Sequence, residues 1–276
     1  MAKITASDVN KLRKSTGAGM MDCKKALVEA DGDFDQATQI IREKGQAIAN
    51  KRSDREASEG VVLAKTNNDH TQGAIISLNC ETDFVAKNDD FVAIAEKILD
   101  KAVENFPADI DELKNIELDG KKIADIVLEQ AGIIGEKIEL SFYDKLEADY
   151  ISAYIHSDKK LATLVGFSKA GIEEQVGKDV AMQVAAMSPV AVDEKQVPQD
   201  VIERELEIGR NQALAEGKPE NLVDKIAQGK LGKFYKENTL VNQAFIKEGK
   251  MTVKQYIQQA DKELTVTEFK RYSIKQ

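Results

Sequence analysis

The sequence is poor in the residues that mark several classes of protein. Its 276 residues include no tryptophan, four prolines and two cysteines, Cys23 and Cys80, which lie far apart. Two distant cysteines do not make a disulfide framework and indicate a reducing compartment. The sequence has no long apolar run that could cross a bilayer, and residues 1–10 show neither a secretion signal nor a transit pattern. We therefore expect a cytoplasmic protein without a membrane partner.

The motifs of common catalytic and metal sites are also missing. There is no GxxxxGK[ST] phosphate loop, no HExxH and no CxxC. A zinc site would need the scattered residues Cys23, His70, Cys80 and His156 to converge, so we expect no metal and no cofactor. A nucleophilic pair of Cys80 and His156 is a further interpretation, although a cysteine that ends an apolar strand is usually inert. The sequence is more typical of a binding protein than of an enzyme.

Charge is abundant but unevenly distributed. The net charge is −9, so general binding to nucleic acid is not expected. Residues 1–55 carry +3 and the remainder −12, which indicates an acidic patch as one partner for the N-terminus. A hydrophobic content of 42% over this length is enough for a core and for two or three domains.

The first 45 residues are predicted to form three short helices. Thr5 and Asp8 have the spacing of a capping box, and apolar residues recur at helical spacing until Gly45. Met20 and Met21 are interpreted either as core residues or as an exposed, adaptable binding surface. The polar residues 46–59 are predicted to form a domain boundary, either as a linker or as an extended helix.

The remaining pattern mixes strands and helices, and we predict an α+β protein with two layers of similar design. A segment with charged helices and narrow apolar seams is predicted to form an antiparallel coiled-coil hairpin, with two ordinary surface helices as the alternative. The predicted elements are strands at 61–66 and 73–80, a helix at 88–105, an irregular segment at 107–115, a helix at 120–130, three antiparallel strands at 137–146, 150–156 and 161–169, a helix at 172–187, the hairpin at about 194–235, a helix at 252–264 and a strand at 266–274.

The stretch LNCETDFVAKND joins a predicted strand to a predicted helix. Its residues Thr82, Asp83, Phe84 and Val85 therefore lie on a turn, where an aromatic side chain is unusual because turns favour small and polar residues. Phe84 either folds back on its own helix as a hydrophobic staple or projects as a contact site. The local pattern alone favours neither interpretation.

Two segments of the chain resemble the signature segments of the bacterial elongation factor Ts family. They are TGAGMMDCKKAL at Thr16–Leu27 and LNCETDFVAKND at Leu78–Asp89. The resemblance runs over almost the whole chain. It implies a guanine-nucleotide exchange factor for the GTPase elongation factor Tu, which it would bind in the GDP-bound and nucleotide-free forms.

The resemblance also implies a domain organisation. It divides the chain into a ubiquitin-associated-like three-helix domain with its linker at 1–55, a core subdomain at 56–140 and a second core subdomain at 141–276 that carries the inserted hairpin. Many members of the family have a further helix after the last strand that also contacts the GTPase. This chain ends at Gln276, so the resemblance does not carry that contact over.

Individual residues acquire roles from the same resemblance. Thr82–Val85 match the motif that perturbs the magnesium site of the GTPase. Phe84 would wedge between helices of the GTPase domain, and Asp83 would lie near the displaced Mg²⁺. The residues that match docking positions on the GTPase are Leu12, Met20, Met21 and His156.

The expected function is therefore nucleotide exchange without bond chemistry, and the chain is not expected to be an enzyme. Two alternatives from other classes are a ubiquitin-associated-like adaptor that only tethers polypeptides and a thiol enzyme that uses Cys80. A homodimer and 1:1 or 2:2 complexes with the GTPase are all compatible with the sequence. No direct contact with nucleic acid is expected.

Overall fold

The computed structural model describes residues 4–52 and 54–274. The described residues form two compact units. The first unit takes its residues from the ranges Met1–Leu63, Ile76–Asp144 and Ser273–Gln276, and the second from Ala64–Ile75 and Lys145–Tyr272. None of the helices in these described ranges has both the length and the apolar character that crossing a membrane requires.

The helices of the described residues are distributed along the whole chain. They are α1 (Ala6–Thr16), α2 (Met20–Glu29), α3 (Phe34–Lys51), α4 (Asp83–Ala86), α5 (Asp89–Asn105), α6 (Ile110–Asn115), α7 (Ile123–Ile134), α8 (Glu174–Met187), α9 (Gln199–Ala215), α10 (Glu220–Asn238) and α11 (Val253–Ala260).

The strands form several small sheets. They are β1 (Glu59–Thr66), β2 (Gln72–Cys80), β3 (Glu117–Leu118), β4 (Lys121–Lys122), β5 (Glu139–Glu147), β6 (Tyr150–Ile155), β7 (Leu161–Phe167), β8 (Ala244–Phe245), β9 (Glu248–Thr252) and β10 (Val266–Ser273). The two larger sheets have the strand orders β1-β2-β5 and β10-β7-β6, and the short pairs β3-β4 and β8-β9 complete the set. The prediction of a mixed α+β protein with three N-terminal helices is confirmed.

The three N-terminal helices pack around a small apolar core. Thr5 caps α1 by accepting from the backbone of Asp8, whose carboxylate accepts from the backbone of Thr5, so the predicted capping box is confirmed. The core side chains come from all three helices; they are Val9, Leu12, Ala18, Cys23, Ala26, Leu27, Ala30 and Ala37. Each helix buries one apolar face, as its sequence period requires.

The predicted end of the third helix at Gly45 is wrong, because α3 continues to Lys51. Gly45 is buried inside the helix, and a Cβ atom built on it would lie 3.4 Å from the Cα atom of Gly132 in α7. The glycine therefore allows a close helix crossing instead of ending the helix. Of the two interpretations of residues 46–59, the extended helix holds as far as Lys51.

The predicted group of three strands between residues 137 and 169 is wrong in its pairing. β5 neighbours β2 in the first sheet, whereas β6 and β7 pair antiparallel with each other and β7 also neighbours β10. A period-two pattern shows which residues share a strand face, but it does not say which strand lies alongside. The predicted antiparallel pairing of the second and third strands is confirmed.

Several helix boundaries agree with their capping signals, and one helix was missed. Asn88 caps α5 through the backbone of Asp90 and Phe91, at the predicted start. The segment 107–115, predicted to be irregular, contains α6, because Asp109 accepts from the backbone of Asp111 and Glu112 and so starts a short helix.

Helices α9 and α10 form a packed pair in the second unit. Their contact is close at Gly209, where a built Cβ atom would lie 3.0 Å from the Cα atom of Ala227. A hydrogen-bonded ion pair of 2.7 Å between Arg210 and Asp224 also joins them. A narrow seam of small and apolar residues is therefore buried between two charged helices. The spacing of Leu222, Ile226 and Gly229 predicts the wrong seam for α10, because Leu222 and Gly229 are exposed and the helix buries Val223, Ala227 and Leu231 instead.

Candidate functional site

The predicted strand-to-helix turn is present and contains one turn of helix. β2 ends at Cys80, α4 covers Asp83–Ala86, and α5 starts at Asp89. The backbone N–H of Ala86 donates to the carbonyl of Thr82 at 3.2 Å, which makes the turn compact. We call the segment Thr82–Val85 the TDFV turn.

Phe84 projects from the TDFV turn into solvent. Its side chain is 83% exposed, more than any other large hydrophobic residue of the described chain. The staple interpretation is therefore wrong, because a staple would bury the ring against its own helix. An isolated exposed aromatic ring contributes little to the fold and is available to a partner.

Asp83 lies beside Phe84 and is only partly exposed. Its carboxylate accepts from Lys87 at 2.7 Å, one helical turn further on, and its side chain is 43% exposed. Such a surface pair contributes only about 0–1 kcal/mol to stability, because water and salt screen it. A binding partner could therefore redirect this carboxylate at little cost.

Thr82 is hydrogen-bonded to Glu136, which follows helix α7. The Thr82 hydroxyl donates to Glu136 Oε1 at 2.7 Å. The backbone N–H groups of Glu81 and Thr82 donate to Glu136 Oε2 at 3.1 and 3.0 Å. One carboxylate thus accepts three hydrogen bonds from two consecutive residues at the start of the turn.

Glu81, in turn, accepts a hydrogen bond from the segment that carries Glu136. Its carboxylate accepts from the backbone N–H of Lys137 at 2.6 Å and from the guanidinium groups of Arg52 and Arg55 at 2.8 and 2.9 Å. Burial acts to raise the pKa of Glu81, but the Lys137 N–H and the two arginines outweigh it and lower the pKa to about 2. Glu81 is therefore a carboxylate at neutral pH.

A buried amide supports the strand that leads into the turn. Asn79 accepts from the hydroxyls of Ser77 and Ser141, both at 2.6 Å, and donates to the carbonyl of Ala57 at 3.0 Å. Its contacts join β2 to β5 and to the segment before β1. The end of β2 is therefore fixed before the chain reaches the TDFV turn.

Cys80 is a buried thiol and not a nucleophile. Its Sγ atom donates to the carbonyl of Thr82 at 3.2 Å, and the residue is 0% exposed. Burial, reinforced by the nearby carboxylate of Glu136, raises the pKa of Cys80 to about 12. Because the thiolate is the reactive form, the thiol-enzyme interpretation is wrong.

The N-terminal candidates divide into exposed and buried residues. Met20 and Met21, at the start of α2, are 54% and 63% exposed, so the interpretation that both fill the core is wrong. Leu12 is 0% exposed and packs in the three-helix core, so it lies below the surface of this domain. Of these three candidates, the two methionines present apolar area to a partner.

His156 belongs to the second unit, whereas the other candidates belong to the first. It follows β6, is exposed, and its Nδ1 atom lies 3.0 Å from the hydroxyl of Tyr154. His156 therefore presents its imidazole to solvent and makes a polar contact with its own strand. Within the described residues, no three His, Cys, Asp or Glu side chains form a group that could hold a metal ion.

The residues that the sequence did not identify are those beneath the turn. Glu81, Glu136, Arg52 and Arg55 are ordinary charged residues without a motif of their own. Glu136 is separated from Thr82 by 54 positions, so periodicity could not associate them. The only local signal was the position of Glu81 directly before the TDFV turn.

These features define a class of protein that acts by binding: a mixed α+β chain presents an exposed aromatic turn on a rigid support and has no activated nucleophile there. A family model for elongation factor TS matches residues 81–276. Curated relatives named elongation factor Ts include those of Christiangramia forsetii, 53% identical over 99% of this chain and 100% of the relative, and Flavobacterium psychrophilum, 51% over 99% and 100%. That of Porphyromonas gingivalis is 51% identical over 98% of both chains. The chain belongs to the elongation factor Ts family.

Membership of this family settles the general function. Elongation factor Ts is the nucleotide-exchange factor for the GTPase elongation factor Tu in translation elongation, and it is not an enzyme. The partner is therefore elongation factor Tu, and the predicted cytoplasmic location agrees with membership of this bacterial family.

Proposed function

We propose that the TDFV turn is the element through which this chain promotes GDP release from elongation factor Tu. Phe84 inserts between helices of the GTPase domain, and Asp83 approaches the ion that is bound with the nucleotide. The observation that carries the proposal is the 83% exposure of Phe84 on a turn fixed by hydrogen bonds from below. Thr82 anchors the turn, and Val85 continues it.

The chemistry of magnesium explains why such a contact releases nucleotide. Mg²⁺ neutralises phosphate charge and requires near-ideal octahedral geometry, so a small distortion of its shell weakens the hold on GDP. An inserted aromatic ring supplies binding energy that is available only when the helices have moved. The free energy of burying Phe84 is thus coupled to distortion of the nucleotide site.

A second contact surface is proposed at the N-terminus. Met20 and Met21 dock on the GTPase domain, where flexible thioethers adapt to an apolar surface. Leu12 supports this surface from within the core. In the second unit, His156 is proposed to make a polar contact of its own with the partner.

The finer organisation is also a proposal. The three N-terminal helices form a ubiquitin-associated-like domain within 1–55, followed by core subdomains at 56–140 and 141–276. Helices α9 and α10 form an inserted coiled-coil hairpin at about 194–235 that engages the rest of the partner. The buried seam at Gly209 and Ala227 supports a coiled coil over two independent surface helices.

We propose a 1:1 complex with the GTPase as the simplest unit, with a 2:2 complex or a homodimer of this chain as alternatives.

Release of labelled GDP tests the proposal directly. Elongation factor Tu carrying fluorescent GDP is mixed with an excess of unlabelled nucleotide and a series of concentrations of the factor. The maximal release rate reports the distortion of the nucleotide site, and the half-saturating concentration reports docking. A ubiquitin-associated-like adaptor that only tethers polypeptides would bind without raising the release rate.

Replacing both methionines tests the docking surface. In the variant Met20→Ser/Met21→Ser, we expect the half-saturating concentration to rise at least about tenfold, since burying a methionine contributes about 1.5–3 kcal/mol. The maximal release rate should stay near that of the parent because the TDFV turn is intact. The fold should also be retained, because both side chains are exposed.

A contrasting variant is Leu12→Ala, which removes a fully buried side chain and should destabilise the N-terminal helices by about 2–5 kcal/mol. Unchanged half-saturation in the methionine variant, measured by the same titration, would exclude a docking role for α2.

A magnesium titration tests the role of Asp83. Chelation of Mg²⁺ by itself speeds GDP release. Because the chelator and the factor act on the same coordination shell, the factor should stimulate the release rate proportionally less as the Mg²⁺ concentration falls. Asp83→Asn keeps the shape of the side chain but removes its charge. Its defect in release rate should be largest at millimolar-scale Mg²⁺ and should shrink under chelation.

If Asp83 only stabilises its own turn, asparagine is an adequate substitute, because it is itself a good turn and cap residue. The variant would then release GDP as fast as the parent at every Mg²⁺ level. Parallel curves for the two proteins would reject the magnesium role and leave Phe84 and the wider interface to account for exchange.

A further inference from the structure

Two short segments of the first unit, residues 81–82 and residues 136–137, are joined by hydrogen bonds at the start of the TDFV turn. Glu136 accepts from the backbone of Glu81 and Thr82, and Glu81 accepts from the backbone of Lys137. We call these four residues, Glu81, Thr82, Glu136 and Lys137, the reciprocal clamp. Each segment therefore supplies one carboxylate to the backbone N–H groups of the other.

The end of α7 directs Glu136 into this clamp. Gly135 ends the helix with a left-handed backbone (φ 78°), and its N–H donates to the carbonyl of Ala131 at 2.9 Å. Only glycine adopts this conformation without strain. The following residue is thereby turned away from the helix axis and reaches the start of the TDFV turn.

The side chain of Thr82 contacts Glu136 and does not cap its own helix. A threonine at an N-cap normally accepts from the first turn of its own helix. Thr82 occupies that position before α4 but makes no such hydrogen bond, and its hydroxyl donates to Glu136 instead. The hydroxyl therefore fixes the turn to a distant segment and not to the next residues.

The helix that carries Phe84 is too short to orient itself. α4 has four residues, and a single helical turn is marginal without external contacts. Its orientation depends on the residues that precede it, Glu81 and the N-cap Thr82, which together donate three hydrogen bonds to the carboxylate of Glu136. The direction in which Phe84 projects is consequently set two residues earlier, at Thr82.

We propose that Glu136 is a positioning residue for nucleotide exchange: its carboxylate fixes Glu81 and Thr82, and through them it aims Phe84 at the partner. This inference rests on the proposed role of Phe84 in exchange. Glu136 acts through hydrogen-bond geometry and not through its charge. It shapes the maximal release rate and leaves docking unchanged.

Three variants of the full-length chain test this role in the GDP-release titration. Glu136→Ala removes all three acceptor contacts and should lower the maximal release rate at least about tenfold, since misplacing an acting group by 1 Å can cost a hundredfold. Its half-saturating concentration should stay within about threefold of the parent, because the docking surface is untouched.

Glu136→Gln separates geometry from charge. The glutamine oxygen can accept from both backbone N–H groups, and its amide can donate to the Thr82 hydroxyl oxygen. We therefore expect glutamine to restore the release rate to within about threefold of the parent, a small effect next to the hundredfold scale of misplacement. Glu112→Ala is the matched control, because Glu112 also accepts a backbone N–H, that of Ala108 at 2.7 Å, on a turn without a proposed site residue.

The outcomes distinguish this inference from the proposal it rests on. If Phe84→Ala lowers the maximal GDP-release rate but Glu136→Ala leaves it normal, the positioning role of Glu136 is overturned and the role of Phe84 stands. A Glu136→Ala defect confined to half-saturation, or a Glu136→Gln variant as slow as alanine, would also overturn the positioning role. Normal release in both alanine variants would instead refute exchange through the turn itself. If Glu136→Ala does not fold, Thr82→Val removes only the hydroxyl contact: slowed release with an unchanged Tm supports the inference, and normal release overturns it.

Discussion

Phe84→Ala is expected to slow factor-stimulated GDP release at least about tenfold while leaving the fold of this chain almost intact. Full burial of a phenylalanine contributes about 1.5–3 kcal/mol. At about 1.4 kcal/mol per factor of ten, this energy alone accounts for a change in nucleotide affinity of about ten- to a hundredfold. A larger acceleration by the native factor needs the rest of the interface. The maximal release rate from labelled elongation factor Tu measures the effect.

The stability of the variant provides the control. Phe84 is 83% exposed, so its removal should change the free energy of unfolding little. Phe91, seven residues further on, is 1% exposed in α5, and Phe91→Ala should cost about 3–5 kcal/mol. If Phe84→Ala lowers Tm while the folded protein still promotes GDP release normally, Phe84 has a structural role and not a role in exchange.

Reciprocity makes the same variant testable by binding. A factor that weakens GDP binding must itself bind the GDP form more weakly than the nucleotide-free form, by the same ratio. If Phe84 supplies this coupling, Phe84→Ala should reduce the ratio of the two affinities and not merely both affinities. Titrations of the variant against GDP-bound and nucleotide-free elongation factor Tu measure that ratio.

The sequence predicted those parts of the fold that are specified locally. The capping box at Thr5 predicts a helix start because the side chain and the backbone groups it satisfies lie within three positions. The change of period predicts the start at residue 88, where the structure has Asn88 as the cap. The strand-to-helix turn was predictable for the same reason, since the change of period occurs at Cys80–Asp89. The turn's residues were identified as a candidate site by an aromatic residue in an unfavourable place.

Contacts between distant segments were not predictable in this way. β5 has the alternation of a strand, but its neighbour β2 is chosen by the packing of the whole unit. Gly45 was interpreted as a helix end because glycine usually marks one, yet here it meets Gly132 of α7. Glu136 is a single carboxylate after a helix, and only the folded chain brings it to Thr82. Local rules place residues on elements, whereas tertiary packing decides what they touch.

The crossing of α3 and α7 leads to the second large expected effect, which is that Gly132→Ala should dislodge the N-terminal helices. A Cβ atom on Gly132 would lie 2.3 Å from the Cα atom of Gly45. The position of a Cβ atom is fixed by its own backbone and the Cα atom of Gly45 is itself backbone, so no side-chain rotation can relieve the overlap and the helices must separate. Overpacking of this kind costs about 1–3 kcal/mol, and separation would also strain the ion pair of 2.8 Å between Arg42 and Glu129.

Separation of these helices should appear as weaker docking and not as slower GDP release at saturating factor. Faster amide hydrogen exchange in α3 would report the loosened crossing, and a raised half-saturating concentration would report that Met20 and Met21 are no longer held in place. The maximal release rate should remain near that of the parent, the opposite pattern to the one expected for Glu136→Ala.

The same substitution in open space should have the opposite sign, which makes Gly232→Ala the matched control. Gly232 lies within α10, is exposed, and has no atom within 4 Å of a built Cβ position. Alanine there gains helix propensity, about 1 kcal/mol, without a clash. We therefore expect Gly232→Ala to raise Tm slightly and Gly132→Ala to lower the stability of the first unit. If both substitutions raise Tm and leave hydrogen exchange in α3 unchanged, the backbones of α3 and α7 are not in close contact at Gly45 and Gly132. The N-terminal helices would then be held mainly by their side chains, among them Ile133, which packs against their core.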